Sequence, residues 1–324
     1  MKKISIMIPC YNEVENVVPM AEAVANEMKT YLPTYDWELV FIDNFSTDGT
    51  RDKLTWICSQ NRNVKAIFNA KNFGPYNSPY YGLLQTTGDC TVMICCDFQE
   101  PVELIHRCVA EWEKGYKIVA AIKTQSKENK VKRFLRTCYY KTIKKMSSVE
   151  QIEHFTGTGL YDKSFIDVLR KLDDPIPFIR GIVAELGPMR KDISYTQLKR
   201  LHGHTHNSWY DLYDAAMLSF TSYTKVGLRL SVFAGALLSL VCLIVALYYF
   251  VMKLLYWDLF PMGIAPMVIG VFFMGSVQLL FLGLLGEYVL SINTRVMHRP
   301  LVVEERRINF DTPAPQQGAS RPHA

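Results

Sequence analysis

Apolar residues recur along the first half of the chain in two alternating rhythms. Ile4 to Ile8 is a short, nearly continuous apolar run, and Val14 to Met28 repeats apolar residues at helical spacing. Trp37 to Ile42 reads as a second strand, with a helix following to about Ile57, and Val64 to Phe68 as a third strand with a helix ending near Gly88. Thr91 to Ile94 is a fourth strand, Val102 to Glu113 a helix, and Lys117 to Ile122 a fifth strand. A β-α-β-α run of this kind predicts an α/β fold with a mostly parallel sheet wrapped by helices. In such sheets ligands gather at the carboxyl ends of the strands, where this chain puts its polar loops.

The last third has a different pattern. Leu230 to Met252 has no charge between Arg229 and Lys253, and Leu259 to Gly286 none between Asp258 and Glu287. Each run is long enough to cross a hydrocarbon core of ~30 Å, which takes about 20 helical residues. Trp209, Leu212, Tyr213, Ala216, Phe220 and Tyr223 fall on one side of a helix just before the first run, the pattern of a helix lying in a membrane interface. The expected organisation is an α/β domain over residues 1–205, an amphipathic helix over 206–228, two transmembrane helices (about 230–252 and 262–286) within 229–293, and a partly disordered cytoplasmic tail over 294–324. Basic residues outside the hairpin, Lys225, Arg229, Arg295, Arg299, Arg306 and Arg307, predict that both ends of the hairpin face the cytoplasm. The expected location is therefore the inner or plasma membrane of a bacterium, with the α/β domain cytoplasmic.

Composition narrows the function classes. Across 324 residues the net charge is only +5, too weak an excess to argue for a nucleic-acid partner. Eight cysteines without a Cys-x-x-Cys pair suit buried thiols in a reducing compartment better than disulfides or zinc. His202-Gly203-His204-Thr205-His206 lacks carboxylate or cysteine companions and is read as a loop.

Candidate chemistry lies at the strand ends. Asp97-Phe98-Gln99-Glu100-Pro101 follows the fourth strand, and the Asp97 carboxylate and Gln99 amide are hard oxygen donors suited to a divalent cation and a diphosphate. A plain turn with Pro101 opening the next helix explains the same residues equally well. Between Lys123 and Lys145 a run of bases with interleaved Phe134, Tyr139 and Tyr140 reads either as a solvated helix face or as a cationic surface for anionic lipid and an acceptor phosphate.

Taken in order, Ile8-Pro9-Cys10-Tyr11-Asn12-Glu13, Asp43 to Thr50, Lys71-Asn72-Phe73-Gly74, Gly88-Asp89 and Asp97 to Pro101 resemble the motifs of family 2 glycosyltransferases. Phe178 to Gly181, Arg200-x-x-Gly203 and Leu228 to Leu230 resemble the polyprenyl-phosphate branch, which includes dolichol-phosphate mannose synthase and the bactoprenol glucosyltransferases. The resemblance implies a GT-A-type domain that transfers a single sugar, with inversion, from a nucleotide sugar to a polyprenyl phosphate of undecaprenyl type, at the cytoplasmic membrane face. It implies that Pro9, Tyr11, Asn12, Glu13, Asp43 and Asn72 border the nucleotide sugar, and that Asp97 and Gln99 hold Mg²⁺ or Mn²⁺. It also implies that Asp97, Lys132, Arg136 and Arg200 carry the reaction. Membrane lipid is a further partner, and self-association into a homo-oligomer is compatible with the pattern.

Two departures stand out: Asn44 where the family usually has a second acid, and Cys95 where it has the first acid of its metal motif. A thiol is a poor ligand for Mg²⁺, so weak metal binding is expected. Gln197 to Leu201 resembles the Gln-x-x-Arg-Trp element of processive polysaccharide synthases with Leu201 in place of the tryptophan. Two other readings therefore stay open: a processive synthase, and a catalytically inactive membrane-anchored subunit.

Overall fold

Strand β1 (Lys3–Cys10) explains its apolar run by burial on both faces. Ile4, Ile6 and Ile8 enter one core, shared with Val17, Met20 and Val24 of α1 (Val17–Tyr31), while Met7 enters a second. β2 (Asp36–Asp43) divides the same way, Leu39 and Phe41 against Val40 and Ile42, as the two-residue period of a strand requires.

In this computed structural model the described residues are 1–125, 152–172, 174, 177–198, 264–296 and 299–311, with single helical positions between 233 and 255. β1 pairs in parallel with β2 and with β4 (Cys90–Met93), and β2 with β3 (Val64–Asn69). The connecting helices are α1, α2 (Thr50–Gln60) and α3 (Gly74–Leu84). α4 (Leu104–Glu113) follows β4 and leads to β5 (Ile118–Gln125). This parallel centre is the one expected from the sequence.

The flanks are mixed. β6 (Phe155–Asp162) runs antiparallel to β4 and β5, and β7 (Arg190–Thr196) runs parallel to β5. Helices α5 (Lys163–Lys171) and α6 (Ile179–Leu186) contribute Phe165, Ile166, Leu169, Ile182 and Val183 to the second core. The eighth strand, β8 (Glu304–Ile308), adds antiparallel to β3, giving the order β7-β5-β6-β4-β1-β2-β3-β8. The sheet domain therefore extends beyond the expected 1–205, because part of the segment 294–324 expected as a tail is one of its strands.

The Gly88-Asp89 motif belongs to the end of the sheet opposite the loops of interest. A Cβ on Gly88 would sit 2.8 Å from the Lys3 carbonyl, and its N–H donates to Ser5 Oγ at 2.8 Å. Asp89 accepts the Lys3 N–H at 2.8 Å. Beside them the buried Glu38 carboxylate receives Ser5 Oγ, Lys3 Nζ, Lys65 Nζ and the Thr87 N–H. Desolvation raises its pKa, but these donors outweigh it and hold the group at about 2. The motif is thus structural, tying β1, β2 and β3 to the turn before β4.

The chain divides into two units, one of Met1–Tyr140, Val149–Ser208 and Met297–Ala324, the other of Lys141–Ser148 and Trp209–Val296. In the second, α7 (Ile264–Val296) runs for 33 residues, and its window Phe273–Leu290 has a mean hydropathy of 1.6 with 7% of it buried. Among the described residues it is one helix long and apolar enough to cross a membrane. Phe233, Leu237, Leu240, Val241, Ile244, Tyr248, Val251 and Leu255 are helical and exposed. The amphipathic stripe over 206–228, most of the first apolar run and the tail beyond 311 lie outside the described residues.

Candidate active site

Because β1, β2, β3 and β4 run parallel, the loops after Cys10, Asp43, Asn69 and Met93 leave the same edge of the sheet. Two of them interlock. Asn12 N–H donates to Ser46 Oγ at 2.8 Å, Thr47 N–H to Asn12 Oδ1 at 2.8 Å, and Glu13 N–H to Thr50 Oγ1 at 2.9 Å. Val14 N–H reaches Asp48 Oδ2 at 3.1 Å, while Asp48 Oδ1 accepts both N–H and hydroxyl of Thr50, an Asx turn through Gly49 at φ +94° that leads into α2. The loop carrying Tyr11, Asn12 and Glu13, just after Pro9 near the end of β1, is therefore locked to the loop that follows Asp43.

Asp43 ends β2 fully buried. Desolvation pushes its carboxyl above the usual range, against the pull of Ser46 hydrogen bonds and of Arg51, whose Nε stands 3.3 Å from Oδ2. Asn44 joins the third loop. Its amide nitrogen donates to Asn72 Oδ1 at 2.8 Å and to the Gly74 carbonyl at 3.2 Å, and its oxygen accepts Phe73 N–H at 2.9 Å and Asn69 Nδ2 at 3.1 Å. A carboxylate there could accept but not donate, and would face two acceptor oxygens. The departure from the family acid is thus a fixed hinge for the Asn72 loop.

The fourth loop carries Asp97, which is 5% exposed, its Oδ1 accepting Gln99 N–H at 3.1 Å. Gln99 is held by the end of β7: Gln197 Nε2 donates to its Oε1 at 2.9 Å and Leu198 N–H to its carbonyl at 3.0 Å. Glu100 points inward, accepting Cys95 N–H at 2.8 Å and Thr158 Oγ1 at 3.0 Å, and burial raises its pKa, with Asp97 adding to the rise. Asn12, Phe45 and Phe98 all adopt positive φ (55°, 69° and 56°), so the first, second and fourth loops each hold one strained residue at the same sheet edge.

Cys95 stands at the surface, yet loss of water around its sulfur, followed by the Glu100 and Asp97 carboxylates, pushes its thiol well above the ordinary range. Burial does the same to Cys10 and Cys96 beneath the loops. Among the described residues no group of three His, Cys, Asp or Glu side chains could enclose an ion. One carboxylate and one amide oxygen, Asp97 and Gln99, remain. That donor set fits a hard cation whose other positions are filled by a diphosphate and water, as is usual for Mg²⁺.

The structure thus brings Pro9 and Asp43, at strand ends, and Tyr11, Asn12, Glu13, Asn72, Asp97 and Gln99, in the loops, to one edge of the sheet. Lys132, Arg136 and Arg200 lie outside the described residues. Sequence reasoning gave no role to Ser46, Thr50, Arg51 or Glu100. Asp48-Gly49-Thr50 is a readable turn signal, whereas Ser46, Arg51 and Glu100 each depend on a partner distant in sequence, Asn12, Glu305 and Thr158.

Residues 5–169 match the family described as glycosyl transferase family 2. The putative glycosyltransferase CsbB of Bacillus subtilis (strain 168) is 30% identical over 96% of this chain and 94% of its own length. The bactoprenol glucosyl transferase of Shigella phage SfX is 26% identical over 92% of this chain and 97% of its own. Among solved structures, S. aureus TarS 1-349 in complex with UDP-GlcNAc aligns with a TM-score of 0.46 and 16% identity, over 68% of this chain and 67% of its own. The chain belongs to glycosyl transferase family 2 and is a glycosyltransferase.

Proposed function

We propose that this enzyme transfers one sugar, with inversion, from a nucleotide-sugar donor to a polyprenyl phosphate at the cytoplasmic face of a membrane. The observation that carries the reading is the convergence of the Pro9–Glu13, Asp43, Asn72 and Asp97–Gln99 loops at one sheet edge, in a chain similar over nearly its whole length to bactoprenol glucosyl transferases. Pro9, Tyr11, Asn12, Glu13 and Asp43 border the nucleotide, and Asn72, positioned by Asn44, borders the diphosphate. Asp97 and Gln99 would hold Mg²⁺ or Mn²⁺, which when bound supplies positive charge against the leaving diphosphate.

A sugar hydroxyl must lose a proton during attack, but a phosphate monoester, with a second pKa of about 6, is already ionised at neutral pH. The chain then needs cations for the acceptor rather than a general base. Lys132, Arg136 and Arg200 are assigned that task from the sequence. The Asn44 network removes one of the two arguments for an inactive subunit, and Leu201 in place of the tryptophan disfavours a processive synthase.

The membrane anchor follows from parity. β7 and β8 belong to one sheet, and the apolar α7 lies between them in the chain. If α7 crosses a bilayer, the chain must cross back, and the exposed helical positions from Phe233 to Leu255 mark where. This reading makes the protein an integral membrane enzyme with a two-helix hairpin.

Incubation of the purified protein with labelled nucleotide sugars, polyprenyl phosphate and Mg²⁺ tests the proposal. Formation of a labelled lipid from one donor is expected. No lipid product from any donor, or a product carrying a growing polymer, would count against it.

A further inference from the structure

The donor site is braced from the far end of the chain; this inference rests on the reading that the nucleotide sits beside Asp43. The Arg51 Nε lies 3.3 Å from Asp43 but is buried without a hydrogen-bond partner, so Asp43 alone does not fix the guanidinium. Its other end is fixed: Nη2 donates to Glu305 Oε2 at 2.7 Å. The guanidinium carbon also lies 5.7 Å from the centre of the Phe45 ring and 5.2 Å from that of Phe68.

Glu305 is a β8 residue, and β8 is firmly seated. It pairs with β3, Tyr81 donates its hydroxyl to Glu304 at 2.8 Å, and Asn309 Nδ2 donates to the Cys58 and Val64 carbonyls at 2.7 Å each. Arg306 lies over Phe68 at 4.5 Å and donates to Thr55 at 3.2 Å. Phe45, meanwhile, holds a left-handed backbone that an aromatic residue rarely adopts, and its side chain is 39% exposed.

We propose that β8 is a positioning element of the donor site: Glu305 orients Arg51, and Arg51 holds Asp43 and Phe45 in the arrangement that receives the nucleotide. Donor affinity then depends on a strand that the chain supplies only after α7. Because the Glu305 side chain is 46% exposed, its ion pair adds little to folding, and its effect belongs in affinity.

The test uses the full-length protein in detergent with Mn²⁺, titrated calorimetrically with uridine diphosphate and guanosine diphosphate. Asp43→Ala should abolish binding of whichever nucleotide the wild type takes. Glu305→Gln should weaken that binding about threefold to fivefold with an unchanged thermal midpoint, and Glu305→Asp should recover part of the loss. Glu305→Gln should add nothing on an Arg51→Lys background. Wild-type affinity in Glu305→Gln, while Asp43→Ala loses binding, would overturn the positioning role alone. So would an undiminished effect of Glu305→Gln in the Arg51→Lys protein, or a loss of affinity matched by a fall in thermal midpoint. Neither nucleotide binding the wild type, or Asp43→Ala binding normally, would overturn the donor-site reading and this inference with it.

Discussion

Asn44 shows what a single atom can decide. Its amide nitrogen is the only part of the residue that an aspartate lacks, and that nitrogen serves Asn72 and the Gly74 carbonyl. Asn44→Asp should therefore cost about 1–3 kcal/mol of stability, the usual penalty for unpairing a buried polar group. Chemical denaturation would register it, and a variant as stable as the wild type would refute the hinge role. Cys95 makes the opposite case, since its neutral thiol contributes nothing to a hard cation. Cys95→Asp should keep activity and sharpen its Mg²⁺ dependence, whereas Asp97→Ala should abolish turnover. Titrating activity against Mg²⁺ and EDTA separates the two, and full activity of Asp97→Ala in excess EDTA would contradict the metal assignment. Glu38, at the other end of the sheet, sets an acid limit on stability. Its pKa is lowered from 4.5 to about 2 on folding, so its contribution of about 3 kcal/mol is present above the unfolded value and lost as pH falls through about 2. Glu38→Gln should flatten the stability profile between those values in pH-dependent unfolding.

At the scale of elements, the central strands were legible because burial on both faces writes itself as an apolar run. The two edge strands were not. β7, Arg-Lys-Asp-Ile-Ser-Tyr-Thr, and β8, Glu-Glu-Arg-Arg-Ile, carry charges that mark protected sheet edges and leave only Ile193-Ser194-Tyr195 as a short alternation to read. The candidate site divides in the same way. The Asp43 and Asp97 motifs are contiguous and could be found by spacing, but the bonds of Asn44 to Asn72, Gln197 to Gln99 and Arg51 to Glu305 join residues 28, 98 and 254 positions apart. β8 makes a prediction of its own. Asn309→Ala strips hydrogen bonds from the Cys58 and Val64 carbonyls and should destabilise the sheet domain by about 1–3 kcal/mol in denaturant unfolding.

In the proposed function the loops at the sheet edge take the nucleotide sugar, and the apolar helices anchor the chain in the membrane. If α7 and the helical positions from Phe233 to Leu255 form the proposed hairpin, a cysteine placed at Asp258 should react with an impermeant reagent added to intact cells, and one placed at Arg306 should not. The reverse pattern would invert the topology. The central claim is that the acceptor is an anion held by Arg136 and Arg200. Either Arg→Ala variant should then lose about 10² or more in rate, on the scale of one preorganised electrostatic contact, with lysine restoring only part of it. The most direct measurement is the rate of sugar transfer to undecaprenyl phosphate and to neutral undecaprenol, side by side, by the wild-type enzyme. Transfer to the phosphate and essentially none to the alcohol is expected; equal rates on the two acceptors would contradict an anionic acceptor.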